Sequence, residues 1–125
     1  MLTLNIIHGQ FAVCQLKSWP TPTLKEEFFF VSKTDREISV VCEVDHMPAD
    51  VISCDKPWRA MRVEGVLDFS LVGVLAGIAN TLAVEGISIF AISTYDTDYI
   101  LVKSDSLDSS VIALRSAGYE VIVID

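Results

Sequence analysis

Two short polar clusters carry the side chains that could bind a small molecule. The first, Asp68-Phe69-Ser70, follows a strand-like run, and the second lies between two further strand-like runs. A carboxylate pairs with an ammonium or guanidinium group, and an aromatic ring can stack on a ligand. These residue types favour recognition of a small charged molecule. The candidate binding residues are Asp68, Phe69, Ser70, Thr94, Tyr95 and Asp98.

Each of these residues also has an ordinary structural interpretation. Asp98 could be a turn acid that accepts bonds from nearby amides, and this is as good an explanation as ligand binding. Asp68 could be an acid at a helix N-terminus, or it could bind a ligand ammonium beside the amides of that terminus, with the second reading slightly favoured. Packing is the default role for Phe69 and Tyr95. The chemistry of the two clusters therefore leaves both readings open.

Catalytic and metal chemistry find no support in the residue pattern. Ser70 lacks the flanks of a nucleophile elbow, and no histidine is placed to activate it or Cys54. His8 follows an apolar run and His46 lies in a polar stretch. The acids around the clusters match no metal-binding loop. We therefore expect no enzyme activity, no metal and no cofactor.

The elements that would position these clusters are clearest in the C-terminal half. Arg59–Glu64 is predicted to be a strand, followed by a helix with Ser70 as its N-cap residue and Leu71, Leu75, Ile78 and Leu82 on its core face. Gly86 would end this helix. Strands are then predicted at 87–94 and 98–103, a second helix up to Gly118, and a strand at 119–124. This order, βαββαβ, predicts a ferredoxin-like α+β unit whose four-stranded antiparallel sheet has both helices on one face.

The N-terminal half is less regular. A strand is predicted at Leu4–Ile7 and a hairpin from Phe28–Ser32 and Ile38–Cys42, whereas Asp45–Pro57 looks like a polar connector. We interpret this half as a reduced copy of the same unit. The expected domains are a reduced unit at 1–57 and a complete unit at 58–125.

Composition limits the kinds of partner. Nine Lys and Arg against seventeen Asp and Glu give a net charge of −8, too few cations for a nucleic-acid-binding face. No stretch predicts a membrane span or a signal peptide, and three widely spaced cysteines suit a reducing, cytoplasmic setting. A hydrophobic content of 51% leaves apolar surface for a subunit interface, so we expect a homodimer.

The segment VEGVLDFSLVGVLAGIANTLAVEGISIFAISTYDTDYILVK resembles the ACT domain family, and FFFVSKTDREISVVCE is similar to the first unit of bacterial proteins with two ACT-like units. Similar units occur in the eukaryotic cytosolic arginine sensor. The resemblance implies an amino acid or similar effector held at an interface between ACT units. It would place Asp68–Ser70 on one side of the ligand and Thr94, Tyr95 and Asp98 on the other, with Asp98 meeting the cationic part. The function it implies is non-enzymatic regulation, and the alternative is a ligand-independent protein–protein interaction module.

Overall fold

A computed structural model of the chain describes residues 2–21, 26–64 and 72–123. Two compact units are formed. Residues Gly9–Trp58 make up what we call the N-terminal unit, and Met1–His8 with Arg59–Asp125 make up the C-terminal unit. The described strands are β1 (Thr3–Ile6), β2 (Phe11–Leu16), β3 (Phe29–Lys33), β4 (Ile38–Glu43), β5 (Val51–Glu64), β6 (Ile89–Ser93), β7 (Asp98–Lys103) and β8 (Glu120–Val123), and the α-helices are α1 (Val74–Val84) and α2 (Leu107–Ser116).

Strand β1 belongs to the sheet of the C-terminal unit. It runs antiparallel to β5, with Thr3 opposite Glu64, and parallel to β8, with Thr3 opposite Glu120. The strand order in this unit is β8-β1-β5-β7-β6. The sheet therefore has five described strands where the sequence predicted four. The grouping also differs from the expected domains 1–57 and 58–125, because the first eight residues lie with the second unit.

Burial explains why the first strand lies there. Side chains alternate between the two faces of a strand, and both Leu4 and Ile6 point into the core of the C-terminal unit. Helices α1 and α2 cover the same face, so the predicted ferredoxin-like α+β fold is confirmed. The buried core of this unit consists of Leu4, Ile6, Met61, Val63, Ile78, Leu82, Ile100, Val102, Leu114 and Val121.

Helix α1 follows its predicted stripe but begins later than expected. Its N-cap residue is Gly73, at φ +82°, and no side chain caps the helix there. The predicted cap, Ser70, was therefore wrong, since the first helical residue is Val74. Ile78 and Leu82 are completely buried, as the stripe predicted. Gly86 follows the helix at φ +73°, which confirms its predicted place after the C-terminus.

The remaining elements of the C-terminal unit agree closely with the sequence patterns. Strands β6 and β7 form an antiparallel hairpin with Ser93 opposite Asp98. Helix α2 buries Leu114 and ends before Gly118, which has φ +98°. Among the described residues, no helix is long and apolar enough to cross a bilayer.

The N-terminal unit is a smaller sheet in the order β3-β4-β2-β5. The predicted hairpin is confirmed, because β3 and β4 pair antiparallel from Phe29 opposite Cys42 to Lys33 opposite Ile38. The predicted connector was wrong beyond Val51, where β5 begins and pairs with β2. The pairing shifts register between Phe11 and Val13, and a bulge of this kind tolerates the proline at Pro57. No α-helix occurs in the part of this unit that the structure describes.

The place of β1 in the core leads to a first prediction. Leu4→Ala should lower the free energy of unfolding by about 2–5 kcal/mol, because it leaves a cavity under both helices. The matched control is Ile122→Ala on the neighbouring strand, where the side chain is 43% exposed and the loss should stay below about 1 kcal/mol. Urea unfolding of the whole chain measures both. Equal losses would contradict this role for β1.

Candidate functional site

The turn between β6 and β7, residues Thr94–Thr97, is closed by its own hydrogen bonds, and we call it the β6–β7 corner. The amide of Thr94 donates to the carbonyl oxygen of Thr97 at 2.9 Å, and the Thr94 hydroxyl donates to the same oxygen at 3.0 Å. In return, the Thr97 amide donates to Thr94 Oγ1 at 3.3 Å. Thr94 thus satisfies the backbone of the turn, and its hydroxyl has a structural partner already.

Thr97 fixes the corner to the rest of the sheet. Its hydroxyl donates to the carbonyl oxygen of Val63 at 2.6 Å, and its side chain is buried. Val63 lies next to the end of β5, from which segment 65–71 continues the chain. Sequence reasoning missed this role, since a threonine in a polar turn gives no sign that its hydroxyl reaches a strand more than thirty residues earlier.

The predicted site residues of the corner take different positions. Asp98 is half-buried at the start of β7 and shares a face with Ile100 and Val102, the face that the helices cover. Tyr95 is 89% exposed, and Asp96 is exposed beside it. Thr94 and Asp98 therefore both lie at the turn end of the β6–β7 hairpin, where Thr94 bonds to Thr97 and Asp98 pairs with Ser93, while the Tyr95 ring lies at the surface.

The other predicted half, Asp68, Phe69 and Ser70, lies outside the described residues. The elements on either side of it can still be placed. A Cβ atom added at Gly77, in the first turns of α1, would lie 2.9 Å from Tyr119 Oη. Tyr119 directly precedes β8. The first residue of β8 and the last residue of β5, Glu64, both pair with Thr3 of β1, so they lie at the same level of the sheet. The start of α1, the end of β5 and the β6–β7 corner therefore lie at one end of the sheet.

The opposite face of the sheet carries a polar network at the same end. Arg62 Nε donates to Glu64 Oε1 at 2.6 Å, and this bond holds the pKa of the Glu64 carboxyl below its ordinary value. Asn5 also bonds to Glu64, and Tyr99 bonds to Arg62. The network spans β1, β5 and β7, so these charges serve mainly to join neighbouring strands.

An open groove of the C-terminal unit lies away from the β6–β7 corner. The groove, of about 670 Å³, runs between α1 and α2, lined by residues such as Thr81, Val84, Ser109 and Ile112. Of the predicted site residues that the structure describes, Thr94, Tyr95 and Asp98, none lines it, and Glu85 is the one ionisable side chain among its described lining residues. A shallow surface with so little charge offers less for a charged effector than the corner does.

The cysteines have the properties of core side chains. Cys14 and Cys42 are buried, and Cys54 is exposed. Burial, with a smaller contribution from neighbouring Cys14, raises the pKa of Cys42 to about 12. Burial likewise raises the pKa of Cys14. Because the thiolate is the reactive form, neither buried thiol is suited to act as a nucleophile. Among the described residues, no group of three potential metal ligands is present.

Known proteins agree with this architecture. The sequence model of the ACT domain matches residues 53–116, and a second model, of an N-terminal domain, matches residues 9–50. The first match covers half of the chain. The chain belongs to the ACT domain family.

Two relatives extend the match beyond this ACT domain. The human protein named cytosolic arginine sensor for mTORC1 subunit 1 is 34% identical over 95 residues, which are 70% of this chain and 29% of the sensor. The chain thus spans less than a third of the curated relatives it matches. A crystal structure from Agobacterium tumefaciens has 30% identity and a TM-score of 0.88, covering 99% of this chain and 94% of that one.

A more distant likeness concerns the fold alone. The aspartate kinase of Clostridium acetobutylicum, described as an allosteric enzyme, has 12% identity and a TM-score of 0.66. The similarity covers 88% of this chain and 33% of the kinase. The ACT architecture is therefore shared with a segment of a much larger enzyme.

The anchoring of the corner of this ACT domain leads to a second prediction. Thr97→Val keeps the side-chain shape but leaves the Val63 carbonyl without its hydroxyl donor, so stability should fall by about 1–3 kcal/mol. Ser93→Ala, at an exposed position of the same hairpin, is the control and should change stability by less than about 0.5 kcal/mol. Urea unfolding tests the pair. An unchanged Thr97→Val variant would refute the anchoring role.

The Arg62–Glu64 bond leads to a third prediction. Because the folded pKa of Glu64 is lowered, its stabilising effect is complete above the ordinary value of 4.5 and is lost as pH falls through the lowered value. Arg62→Met should bring the pKa of Glu64 back up towards 4.5. NMR titration of the Glu64 carboxyl carbon measures this, with Arg36→Met in an exposed turn as control. Identical Glu64 titrations in Arg62→Met and wild type would disprove it.

Proposed function

We propose that this chain is a non-enzymatic regulatory module that binds an amino acid or a similar small effector at an interface between ACT units. The proposal gives the β6–β7 corner one side of the ligand, through Thr94, Tyr95 and Asp98. Asp68, Phe69 and Ser70 complete the other side. The protein would act in the cytoplasm as a homodimer that a partner protein reads.

The observation that carries this proposal is the position of Asp98. Asp98 is half-buried at the end of the sheet where β5 ends, and Thr97 holds the adjoining turn in place. A fixed carboxylate needs little reordering when it pairs with a cation, so more of the interaction energy appears as affinity. An ammonium or guanidinium group is the natural complement. Membership in the ACT family and the arginine sensor among its relatives support the same reading.

The exposure of Tyr95 supports a site completed from outside the unit. A ring that is 89% exposed contributes little to the core of its own unit. Stacked on a ligand or on a second ACT unit, the same ring would bury most of its surface. A homodimer is one arrangement that supplies this second unit.

The alternative function is a ligand-independent protein–protein interaction module. Apolar side chains on β8 favour it, since Ile122 is 43% exposed and the adjacent Val123 is 59% exposed. β8 is also the last strand of its sheet in the described order, so its outer edge is available for pairing. Such a module would bind its partner equally well without an effector.

The two functions differ in their response to amino acids. We expect L-arginine at millimolar concentration to raise the melting temperature of the wild type, because a ligand that binds the folded state stabilises it. Asp98→Asn should abolish this increase, whereas Asp96→Asn, its exposed neighbour, should retain it. Differential scanning fluorimetry measures all three proteins.

L-citrulline provides the matched ligand, because it replaces the guanidinium by a neutral group of similar shape. An equal response to citrulline would argue against pairing between Asp98 and a cation. If none of the twenty amino acids shifts the melting temperature, the effector proposal fails and the interaction module remains.

A further inference from the structure

Three cysteines lie on three neighbouring strands of the N-terminal unit. Cys42 is on β4, Cys14 on β2 and Cys54 on β5, and these strands are adjacent in the order β4-β2-β5. Cys14 is paired directly with Cys54 in the antiparallel register, and Cys42 is paired with Ala12, two residues before Cys14. Paired residues share a face of the sheet, and so do residues two apart on one strand, so all three thiols lie on the same face.

The three thiols differ in their access to solvent. Cys14 and Cys42 are buried, at 1% and 0% exposure, and belong to the apolar core of the unit. Cys54 is exposed, and its strand β5 is the outermost one in the described order of this unit. Because oxidation of a thiol requires access to its sulfur, a small oxidant dissolved in water meets Cys54 and not the two buried sulfurs.

Direct pairing brings Cys14 and Cys54 within reach of a disulfide bond. The Cα atoms of paired residues in antiparallel strands are about 4.5–5.5 Å apart, and disulfides join Cα atoms about 4.4–6.8 Å apart. Cys42 is a diagonal neighbour of Cys14, and diagonal neighbours are about 7–8 Å apart. The register therefore favours a bond between Cys14 and Cys54 over one between Cys14 and Cys42.

The surroundings of Cys14 suit it to respond to Cys54 and not to start a reaction. Burial raises the pKa of Cys14, as does the nearby Cys54 thiol, whereas a hydrogen bond with Cys42 and the charge of Lys56 lower it. With a raised pKa, Cys14 is a poor nucleophile towards molecules in solution. Attack on a sulfur held beside it is intramolecular, and this raises the effective concentration of the reacting group by orders of magnitude.

We propose that Cys54 and Cys14 form a peroxide-sensitive modification site, in which Cys54 is oxidised first and Cys14 then closes a disulfide bond. In the first step the Cys54 thiolate attacks one oxygen of hydrogen peroxide. The S–O bond forms, the O–O bond breaks, and the departing hydroxide takes up the thiol proton as water, which leaves Cys54 as a sulfenic acid.

In the second step the Cys14 sulfur attacks the Cys54 sulfur. The S–S bond forms, the S–O bond breaks, and the hydroxide leaves as water with the proton of the Cys14 thiol. Two thiols are thereby oxidised to one disulfide, and one peroxide molecule is reduced to two molecules of water. The reaction uses neither the β6–β7 corner nor an effector, so it is independent of the proposed function.

This disulfide is readily reduced again. Cβ atoms of paired residues are about 4.5–5.5 Å apart, whereas a disulfide requires about 3.5–4.5 Å, so closing the bond pulls β5 towards β2 and strains it. Strained or exposed disulfides are the ones that thiols reduce easily. Two molecules of glutathione restore both cysteines and leave as glutathione disulfide. The bond therefore joins β5 to β2 only while peroxide is present.

The test exposes the whole folded protein to a few equivalents of hydrogen peroxide, then denatures it and alkylates the remaining thiols. We expect the chain to lose two hydrogen atoms by intact mass spectrometry and to alkylate at one cysteine where the untreated protein alkylates at three. Peptide mapping should join Cys14 to Cys54, and dithiothreitol should restore all three thiols. A bond between Cys14 and Cys42, two chains joined through Cys54, or a sulfinic acid at Cys54 with no disulfide would each overturn the proposal, and none of these results needs a variant.

Three variants separate the roles of the cysteines. Cys14→Ala should stop the reaction at the sulfenic acid of Cys54, which dimedone traps as a stable adduct. Cys54→Ala should leave the other two thiols reduced at the same dose of peroxide, because both are buried. The matched control is Cys42→Ala, which should still form the bond between Cys14 and Cys54. Oxidation of Cys54→Ala as fast as the wild type, or a Cys42→Ala variant without the disulfide, would refute the assigned pair.

Discussion

The insertion of β1 between β5 and β8 is the constraint on which the C-terminal unit depends. Without it, β5 and β8 would each lack a neighbour on one side, and their amides and carbonyls there would need water. The strand also supplies Leu4 and Ile6 to the core beneath the helices. Because these contacts join the start of the chain to its second half, the core closes only after long-range pairing, which costs loop-closure entropy. The βαββαβ segment alone would lack part of its own core.

This dependence explains which parts of the fold could be read from the sequence. Strand β7 and the end of α1 at Gly86 were predicted well, because apolar periodicity and a positive-φ glycine are local signals. The destination of β1 carries no such signal, since Leu4 and Ile6 alternate in the same way whichever sheet they join. Strand β5 was missed over its first residues because Ser53, Asp55 and Lys56 are polar and Pro57 suggested a loop. The first part of β5 is a strand because its backbone pairs with β2, and such pairing cannot be read from side-chain hydrophobicity.

The candidate site likewise has features that the local sequence predicts and features that it does not. The sequence indicated that Thr94 and Asp98 would lie at one hairpin end, because a short turn joins the two strands there. It did not indicate that Thr94 is occupied within the turn, or that Thr97 holds the turn against Val63. These bonds depend on the arrangement of three strands, β5, β6 and β7. The partner of each hydroxyl is therefore set by the tertiary structure. The N-cap residue of α1 also differs from the predicted one, since it is Gly73 and not Ser70.

The positions of individual acids add to what the net negative charge of the chain indicates. Seventeen acids against nine Lys and Arg would be an ordinary device for solubility if all the carboxylates were solvated. Asp98 is half-buried beside a hydrogen-bonded turn, and the side chain of Glu26 is only 6% exposed, so these two acids are not ordinary surface charges. A net charge of −8 adds a weak, salt-sensitive attraction for cations around the whole molecule. Under the proposed function, selectivity for a cationic effector would come from Asp98, because a neutral ligand gives this carboxylate no cationic partner. The excess of acids thus attracts cations in general, whereas the proposed selectivity rests on the position of one partly buried acid.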